Sequence, residues 1–313
     1  MIKNYFSNFQ SVSLAICTSM LSFLSYGQKA EIFTLADFDL TGHVKSCLVT
    51  TDYGKEEFNF NEDGFLTKLV TRYNENDYDV TYYKFANHEI IEKRVENYRD
   101  GIFDKNTSIA NIYVIDTTTA EKKIIEKIVS YAKEFLDQYE YTYDKEGKLI
   151  RIIRNNDDGI QNTEVEYTDA NGEATTTYTA DGEIKKSIRF SQHKTKTNNI
   201  RKVALTKNYL EGKPNKAIEQ IFNAQDKLLT ENLYSYDTIS KSFVSKELKT
   251  YQYNELGMVS EIKTKTGQME AVKKFIYQFD DGEKGNWIKQ IITPDNTYIT
   301  RKIKYYESTV VEE

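Results

Sequence analysis

Aromatic and polar residues alternate along the central stretch of the chain, residues 139–154. Single polar residues separate Tyr139, Tyr141 and Tyr143, which is the two-residue period of a β-strand with one apolar and one polar face. Asp144 follows at the position where a turn opens, and a carboxylate there accepts a hydrogen bond from the backbone N–H two residues further on. The stretch therefore predicts the first half of a β-hairpin.

The second half of this unit is a turn glycine followed by an apolar strand. Gly147 stands where the turn needs a positive φ, and the β-branched run at residues 149–153 supplies the return strand. Degraded copies recur along the chain, and the glycines predicted to lie in their turns are Gly64, Gly172, Gly182, Gly257 and Gly285. Turn signals spaced by roughly 10–15 residues predict an antiparallel meander of about 16–20 strands.

A meander of this length does not form a flat open sheet, because sheets twist as strands are added. We therefore predict an all-β fold, an extended antiparallel meander of hairpins in a curled or partly closed sheet with an aromatic interior. Residues 118–137 admit a second interpretation, since Ile124, Ile128 and Phe135 recur at helical spacing and Thr118 with Glu121 matches a capping box. Because this stretch lies among hairpins, we favour strands over a helix.

The N-terminal 27 residues differ from the rest of the chain. Lys3 is their only charged residue, residues 11–24 form a short apolar run, and Ser25 and Gly27 place small residues before a cut at Gln28. This pattern predicts a signal peptide at residues 1–27 and an exported protein, periplasmic or extracellular. It leaves residues 28–313 as a single β domain that is not integral to the membrane after cleavage.

Charge and cysteine content limit the partners and the chemistry. The net charge of −6 comes from 42 basic and 48 acidic residues of interspersed sign, so nothing favours nucleic acid. Cys47 is the only cysteine after residue 27, and its apolar neighbours predict a buried strand residue. Stability must then come from the sheet and not from a disulfide.

No catalytic motif stands out. His43, His88 and His193 are far apart and do not have metal-ligand spacing, and the chain carries neither a nucleophile elbow nor a phosphate-binding glycine loop. The acidic turns at residues 155–159 and 280–283 do not have the full ligand series of a calcium loop. We therefore expect no enzyme activity, no metal and no cofactor.

The aromatic residues are the remaining lead, with 24 Tyr and 16 Phe in the chain. Cross-strand aromatic pairs stabilise a sheet by about 0.2–1 kcal/mol each, so internal packing is the simpler interpretation. The other is a stacking surface for a ligand such as a glycan. Its candidate residues are Trp287, Tyr141, Tyr143, Tyr251 and Tyr253.

The pattern Tyr-x-Tyr-Asp-x-x-Gly-x-Leu at residues 141–149 resembles the YD repeat of Rhs-type proteins. Residues 253–257 and 284–288 resemble variants of the same repeat, and together the copies cover most of residues 40–306. The resemblance implies long antiparallel strands in a curled sheet. The chain has no Asp-Pro dipeptide and only seven residues after Tyr306, so it does not imply a toxin domain.

These observations favour a non-catalytic exported repeat protein that acts as a binding or scaffold module at the cell envelope or outside the cell. Its partner is an unidentified protein or glycan. Two alternatives stay open: a carbohydrate-binding or carbohydrate-active protein that uses aromatic stacking, and a remnant of a toxin-delivery system.

Overall fold

The computed structural model describes residues 32–118, 121–132, 134–280 and 285–307. The predicted signal peptide lies outside these ranges. Within them the chain forms one short 3-10 helix, Leu35–Phe38, and 20 β-strands.

The strands follow one another with short connections. Their bounds are β1 Val44–Thr51, β2 Gly54–Phe60, β3 Leu66–Arg72, β4 Tyr78–Ala86, β5 Glu89–Arg99, β6 Ile102–Asp116, β7 Lys122–Ser130, β8 Phe135–Tyr143, β9 Leu149–Asn156, β10 Gly159–Ala170, β11 Glu173–Ala180, β12 Glu183–Lys194, β13 Ile200–Leu210, β14 Lys213–Phe222, β15 Leu228–Asp237, β16 Ser242–Tyr253, β17 Val259–Thr266, β18 Met269–Phe279, β19 Trp287–Thr293 and β20 Thr297–Tyr305.

Each strand pairs antiparallel with the next, and β20 pairs with β1. The all-β antiparallel meander is therefore confirmed, and so is the upper end of the expected strand number. The expectation of a curled or partly closed sheet is wrong, because the β1–β20 pair closes the sheet into a 20-stranded barrel. Closure leaves no unpaired edge, which is how β-proteins avoid edge-to-edge association.

The ambiguous stretch at residues 118–137 contains β7 and the start of β8, which confirms strands over a helix. The helical spacing of Ile124 and Ile128 arises because β-branched residues occupy both faces of β7. Ile124 faces Tyr141 of β8 and Ile128 faces Asp137, while Ile125 lies on the opposite face beside Glu140.

The two faces of the barrel wall differ in composition. One face carries most of the buried aromatic and aliphatic side chains, for example Phe58, Tyr141 and Trp287. Side chains of strands that are not neighbours meet on this face: Tyr143 of β8 and Tyr178 of β11 belong to one packed cluster. Because side chains converge only on the concave side of a curved sheet, this is the inner face.

Charged side chains lie on both faces, and the inner face includes the Arg154–Asp137 pair at 2.7 Å, but charge is the main feature of the outer face. Cross-strand ion pairs lie along it, with Lys123 Nζ at 2.9 Å from Glu140, Arg189 at 3.0 Å from Glu173 and Lys263 at 2.8 Å from Glu270. Exposed pairs of this kind add little stability, so their effect here is to keep the outer surface hydrated.

The strands alternate in direction, so the connections form two rims. We call the rim formed by the connections that follow even-numbered strands the near rim, since β1 begins there, and the opposite rim the far rim. The central turn, residues 144–148, lies at the near rim. There the Asp144 carboxylate accepts hydrogen bonds from the N–H groups of Glu146 (2.9 Å) and Lys148 (2.8 Å), and Gly147 has φ of 78°.

A β-bulge follows six of the near-rim turns. In each, an aromatic residue at or next to the end of the even strand faces an apolar residue at or next to the start of the following strand, and the residue after that apolar one is the extra one. The facing pairs are Phe60–Leu66, Phe85–Ile90, Tyr143–Leu149, Phe222–Leu228, Tyr253–Val259 and Phe279–Trp287.

The bulge decides which side chains point inward. In β9 the extra residue is Ile150, so Leu149 and Ile152 lie on the inner face and Arg151 lies on the outer face beside Thr142. If Ile150 instead occupied a regular ladder position opposite Thr142, the alternation would place Arg151 inside, because a shift of one residue exchanges the two faces of a strand.

Adding one more residue at the bulge therefore has a much larger effect than removing the extra one. We expect an alanine inserted between Ile150 and Arg151 to turn Arg151 inward, opposite Tyr141, and to lower the free energy of unfolding by about 3 kcal/mol or more, the cost of burying an unpaired charge. Urea denaturation measures this, and deletion of Ile150, which leaves Arg151 directly after Leu149 and still outward, is the control with the smaller loss. Equal losses in the two variants would show that the bulge does not set the face of β9.

Candidate binding surface on the inner face

The N-terminal segment covers part of the inner face at the near rim. The ring of Phe38 in the 3-10 helix packs 4.5 Å from that of Phe58 and 5.6 Å from that of Phe60. Thr34 bridges to Phe65, and Leu66 N–H donates to the Phe33 carbonyl at 2.9 Å. The barrel thus holds residues 32–40 as an internal cover near the place where its first and last strands meet.

Arg301 of β20 fastens this cover. Its guanidinium lies 3.5 Å from the centroid of the Trp287 ring and donates to the Phe38 carbonyl at 2.9 Å. The side chain is buried, and burial lowers the pKa of the guanidinium despite the neighbouring Asp39. A buried cation held by an aromatic face and a carbonyl is a strong local contact, because no water competes for it.

Asn286 makes a second connection at the same place. Its side chain accepts from Thr41 N–H at 2.8 Å, donates to the Thr41 carbonyl at 3.0 Å and donates to the Tyr305 hydroxyl at 2.9 Å. The amide thereby acts like an added stretch of backbone between β19, the N-terminal segment and β20.

A cleft of about 650 Å³ lies beside these contacts. Apolar side chains line it, among them Met258, Phe279 and Trp287, and so do the polar groups of Asp39 and Asp280. Asp39 is accessible to solvent, yet the surrounding protein raises the pKa of its carboxyl. The indole N–H of Trp287 is buried and has no acceptor in the part of the chain that the structure describes. This cleft combines an apolar body with a few polar groups, as small-molecule sites do.

A second polar group lies within the aromatic wall on the opposite part of the barrel. Glu126 accepts hydrogen bonds from the hydroxyls of Tyr113 and Tyr141, both at 3.0 Å, and from the Asn111 amide at 2.7 Å. Burial, reinforced by the Glu126 charge, raises the pKa of Tyr113 and of Tyr141. Three structural partners therefore hold this carboxylate in the wall.

The structure places the five predicted stacking residues on the inner face but not in one site. Tyr141 and Tyr143 belong to the cluster around Leu149, Trp287 to the cluster under the N-terminal segment, and Tyr251 packs against a third cluster. Tyr253 lies two residues further along β16 and donates to the Leu228 carbonyl. Their role in binding a ligand stays a prediction.

Trp287 does not present a free face for stacking. Its side chain is only 3% exposed, Arg301 covers one face of the ring, and Tyr277 packs edge-on at 6.0 Å. The carbohydrate alternative therefore loses the residue on which it chiefly depended.

The predicted turn residues lie in the connections. Gly64, Gly147, Gly172 and Gly257 have positive φ at the near rim, and Gly182 has positive φ at the far rim. Gly285 also lies in a near-rim connection, outside the left-handed region, with Asp280 beside it. Cys47 is buried on the inner face as predicted, and burial raises the pKa of its thiol to about 11.

Sequence reasoning missed Arg301, Asn286 and Glu126. A signal for Arg301 was present, because it alternates with Ile299 and Ile303 and so occupies an inward position in an apolar series. Within the described ranges, no group of three or more His, Cys, Asp or Glu residues is placed to hold a metal ion. The same ranges contain no helix with the length and hydropathy needed to cross a bilayer.

No protein-family model and no curated protein matches the chain. Among solved structures, a porin-like protein from Bacteroides uniformis is similar, with 10% identity over 83% of this chain and 98% of that chain and a TM-score of 0.27. A porin-like protein from Bacteroides vulgatus is similar with 11% identity over 85% of this chain and 99% of that chain and a TM-score of 0.25.

The expected membership in the Rhs and YD-repeat group is wrong. No family model matches the chain, and the repeated hairpins close into one barrel. The Tyr-x-Tyr-Asp pattern instead reflects the inward tyrosines, the Asx turn and the bulge of the near rim. The toxin-delivery alternative, which depended on that resemblance, loses its basis.

Replacing Arg301 tests the connection between the cover and the barrel. We expect Arg301→Leu to lower the free energy of unfolding by about 3 kcal/mol, because the Phe38 carbonyl loses its donor and the Trp287 ring loses a desolvated cation. Arg301→Lys should recover only part of this, since an ammonium lacks the planar stacking surface. Urea denaturation measures both variants, and a wild-type midpoint for Arg301→Leu would contradict the assignment.

The tyrosines predict an alkaline limit of stability. Burial raises the pKa of Tyr143, Tyr253 and Tyr277 to about 12 each. Because tyrosinate is disfavoured in the folded protein, the stability is fully present below about pH 10, the value in the unfolded chain, and is lost as the pH rises through 12.

Two measurements check this limit. The urea midpoint should fall between pH 9 and pH 12, and tyrosinate absorbance should develop at higher pH in the folded protein than in urea. A single titration at about pH 10 in both states would show that these tyrosines are not buried.

Proposed function

We propose that the protein is a non-enzymatic exported binding protein, whose ligand is an apolar or amphiphilic small molecule held against the inner face. The observation that carries this proposal is the composition of the inner face, which holds most of the buried aromatic side chains with a few charged groups between them, such as the Arg154–Asp137 pair. A closed sheet of 20 strands is also wider than its own side chains can fill. The predicted signal peptide supports a location outside the cytoplasm.

Both the apolar part and the polar head group of an amphiphilic ligand can contact side chains of the inner face. Its rings give large apolar area, and hydroxyls and a few charged groups lie between them. Lys186 is one such group: its ammonium lies 5.5 Å from the centroid of the Tyr178 ring, and burial lowers its pKa. A cation in this setting favours a ligand that carries a carboxylate or another anionic head group.

The strand number suggests an alternative function as a membrane channel, because outer-membrane barrels include ones with 20 strands. Such barrels have an apolar outward band, and an outward Arg or Lys at mid-bilayer costs about 2–4 kcal/mol. Here Arg94, Lys127 and Arg189 occupy outward positions in the middle of their strands. The outer face therefore favours water over lipid, and the binding function over the channel.

Binding of a fluorescent apolar probe tests the proposal. The protein, purified after export, should take up N-phenylnaphthylamine, and a long-chain fatty acid should displace it. We expect Tyr251→Ala on the inner face to weaken probe binding by about 3- to 10-fold. Tyr82→Ala, a matched change on the outer face, should leave the affinity within about 2-fold.

Two results would contradict the proposal. The first is no saturable probe uptake by the folded protein. The second is stepwise conductance in planar bilayers together with resistance to carbonate extraction from membranes, which would assign the protein to the channel class.

A further inference from the structure

The far rim carries exposed hydrophobic side chains at its connections. Six of them are more than 60% exposed, and each lies in a far-rim turn or within two residues of one: Tyr53, Ile102, Ile160, Leu210, Ile239 and Met269. Ile239 is 92% exposed at the tip of the β15–β16 connection. Single exposed hydrophobic residues are ordinary on a protein surface, so the informative observation is that these are concentrated at one rim.

The pattern extends around the whole far rim. Each of the four other far-rim connections also has a large hydrophobic side chain in it or next to it, but these are less exposed: Tyr73, Phe135, Ile184 and Tyr298. Among the described residues of the near rim, Leu256 alone is as exposed as the first six. The asymmetry shows that exposure is a property of one end of the barrel and not of turns in general.

The spacing of these side chains favours a fluid partner over a protein. Neighbouring connections are two strands apart, which is about 10 Å along the rim, so the side chains stand singly instead of forming one patch. A rigid protein would need a matching hole for each of them. The boundary of a lipid bilayer accepts separate apolar anchors without any such match.

The charges of the same connections limit the kind of lipid. Eight of the ten far-rim connections contain an Asp or Glu, for example Asp52, Asp100, Asp181 and Glu211. Anionic head groups would repel this ring of carboxylates, whereas zwitterionic or uncharged head groups would not.

We infer that the far rim docks onto the surface of an uncharged or zwitterionic membrane, with its ring of hydrophobic side chains inserted at the head-group boundary and the wall of the barrel outside the bilayer. The inference goes beyond the proposed binding function and does not depend on a ligand in the interior.

Vesicle flotation tests this docking. The protein should float with phosphatidylcholine vesicles, and the combined variant Ile102→Ser, Ile160→Ser, Ile239→Ser and Met269→Ser should lower the partition coefficient about 30-fold or more, because apolar area buried in the boundary drives binding. Leu256→Ser, the matched change at the near rim, should alter it less than about 2-fold. Adding phosphatidylglycerol to the vesicles should weaken binding.

Several results would overturn the inference: absence of the wild-type protein from the floating fraction, equal losses in the combined variant and in Leu256→Ser, or tighter binding to anionic vesicles. A change in the sedimentation of the vesicle-free protein on making the combined variant would assign the far rim to contact between copies of the chain instead. Probe uptake by the interior, measured on the combined variant, separates a failure here from a failure of the proposed function.

Discussion

The register of each strand decides which side chains the barrel encloses, and six bulges at the near rim hold that register. In five of the six, the residue after the extra one is charged and lies on the outer face; these are Lys68, Glu92, Arg151, Glu261 and Lys289. The aromatic residue before the turn and the apolar residue after it meet on the inner face. One inserted residue per hairpin thus satisfies both requirements, and the partition of the wall depends on it.

The seam between β1 and β20 uses different contacts from the rest of the wall. Elsewhere consecutive strands are joined by a short turn, which brings them together at little entropic cost. At the seam no turn exists, and Arg301, Asn286 and the N-terminal segment connect the strands through side chains. The largest cluster of buried hydrophobic side chains in the described residues, around Phe38, Phe58 and Trp287, lies at this place.

Much of the wall could be predicted from the sequence, because hairpins are local. A stretch of about a dozen residues contains both the alternation of Tyr139, Tyr141 and Tyr143 and the turn at Asp144. The structure shows the hairpin that this stretch predicts. Closure could not be predicted this way, since it depends on the fit of two strands at opposite ends of the chain. The YD resemblance was misleading for a related reason: alternating tyrosines and an Asx turn describe one hairpin, and they do not determine what a series of hairpins encloses.

The candidate site was the least predictable part. Arg301 is one of 42 basic residues, and only its burial against the Trp287 ring distinguishes it. The sequence predicted that Trp287 stacks against a ligand, but in the fold the guanidinium of Arg301 packs against its ring. Which aromatic residues are accessible depends on how the N-terminal segment covers the inner face, and no local pattern contains that information.

The pairing of β1 with β20 also determines which part of the barrel can fold last. Cys47 of β1 faces Ile303 of β20, so the final ladder joins the first strand to the last and has the longest contact separation in the molecule. Until β20 is available to pair, β1 has an unpaired edge that can template a foreign strand. Lys302 and Lys304 stand on the outward side of β20, where positive charge discourages a second copy from adding on. A chain of this design is most vulnerable to aggregation in the interval between the arrival of its two ends.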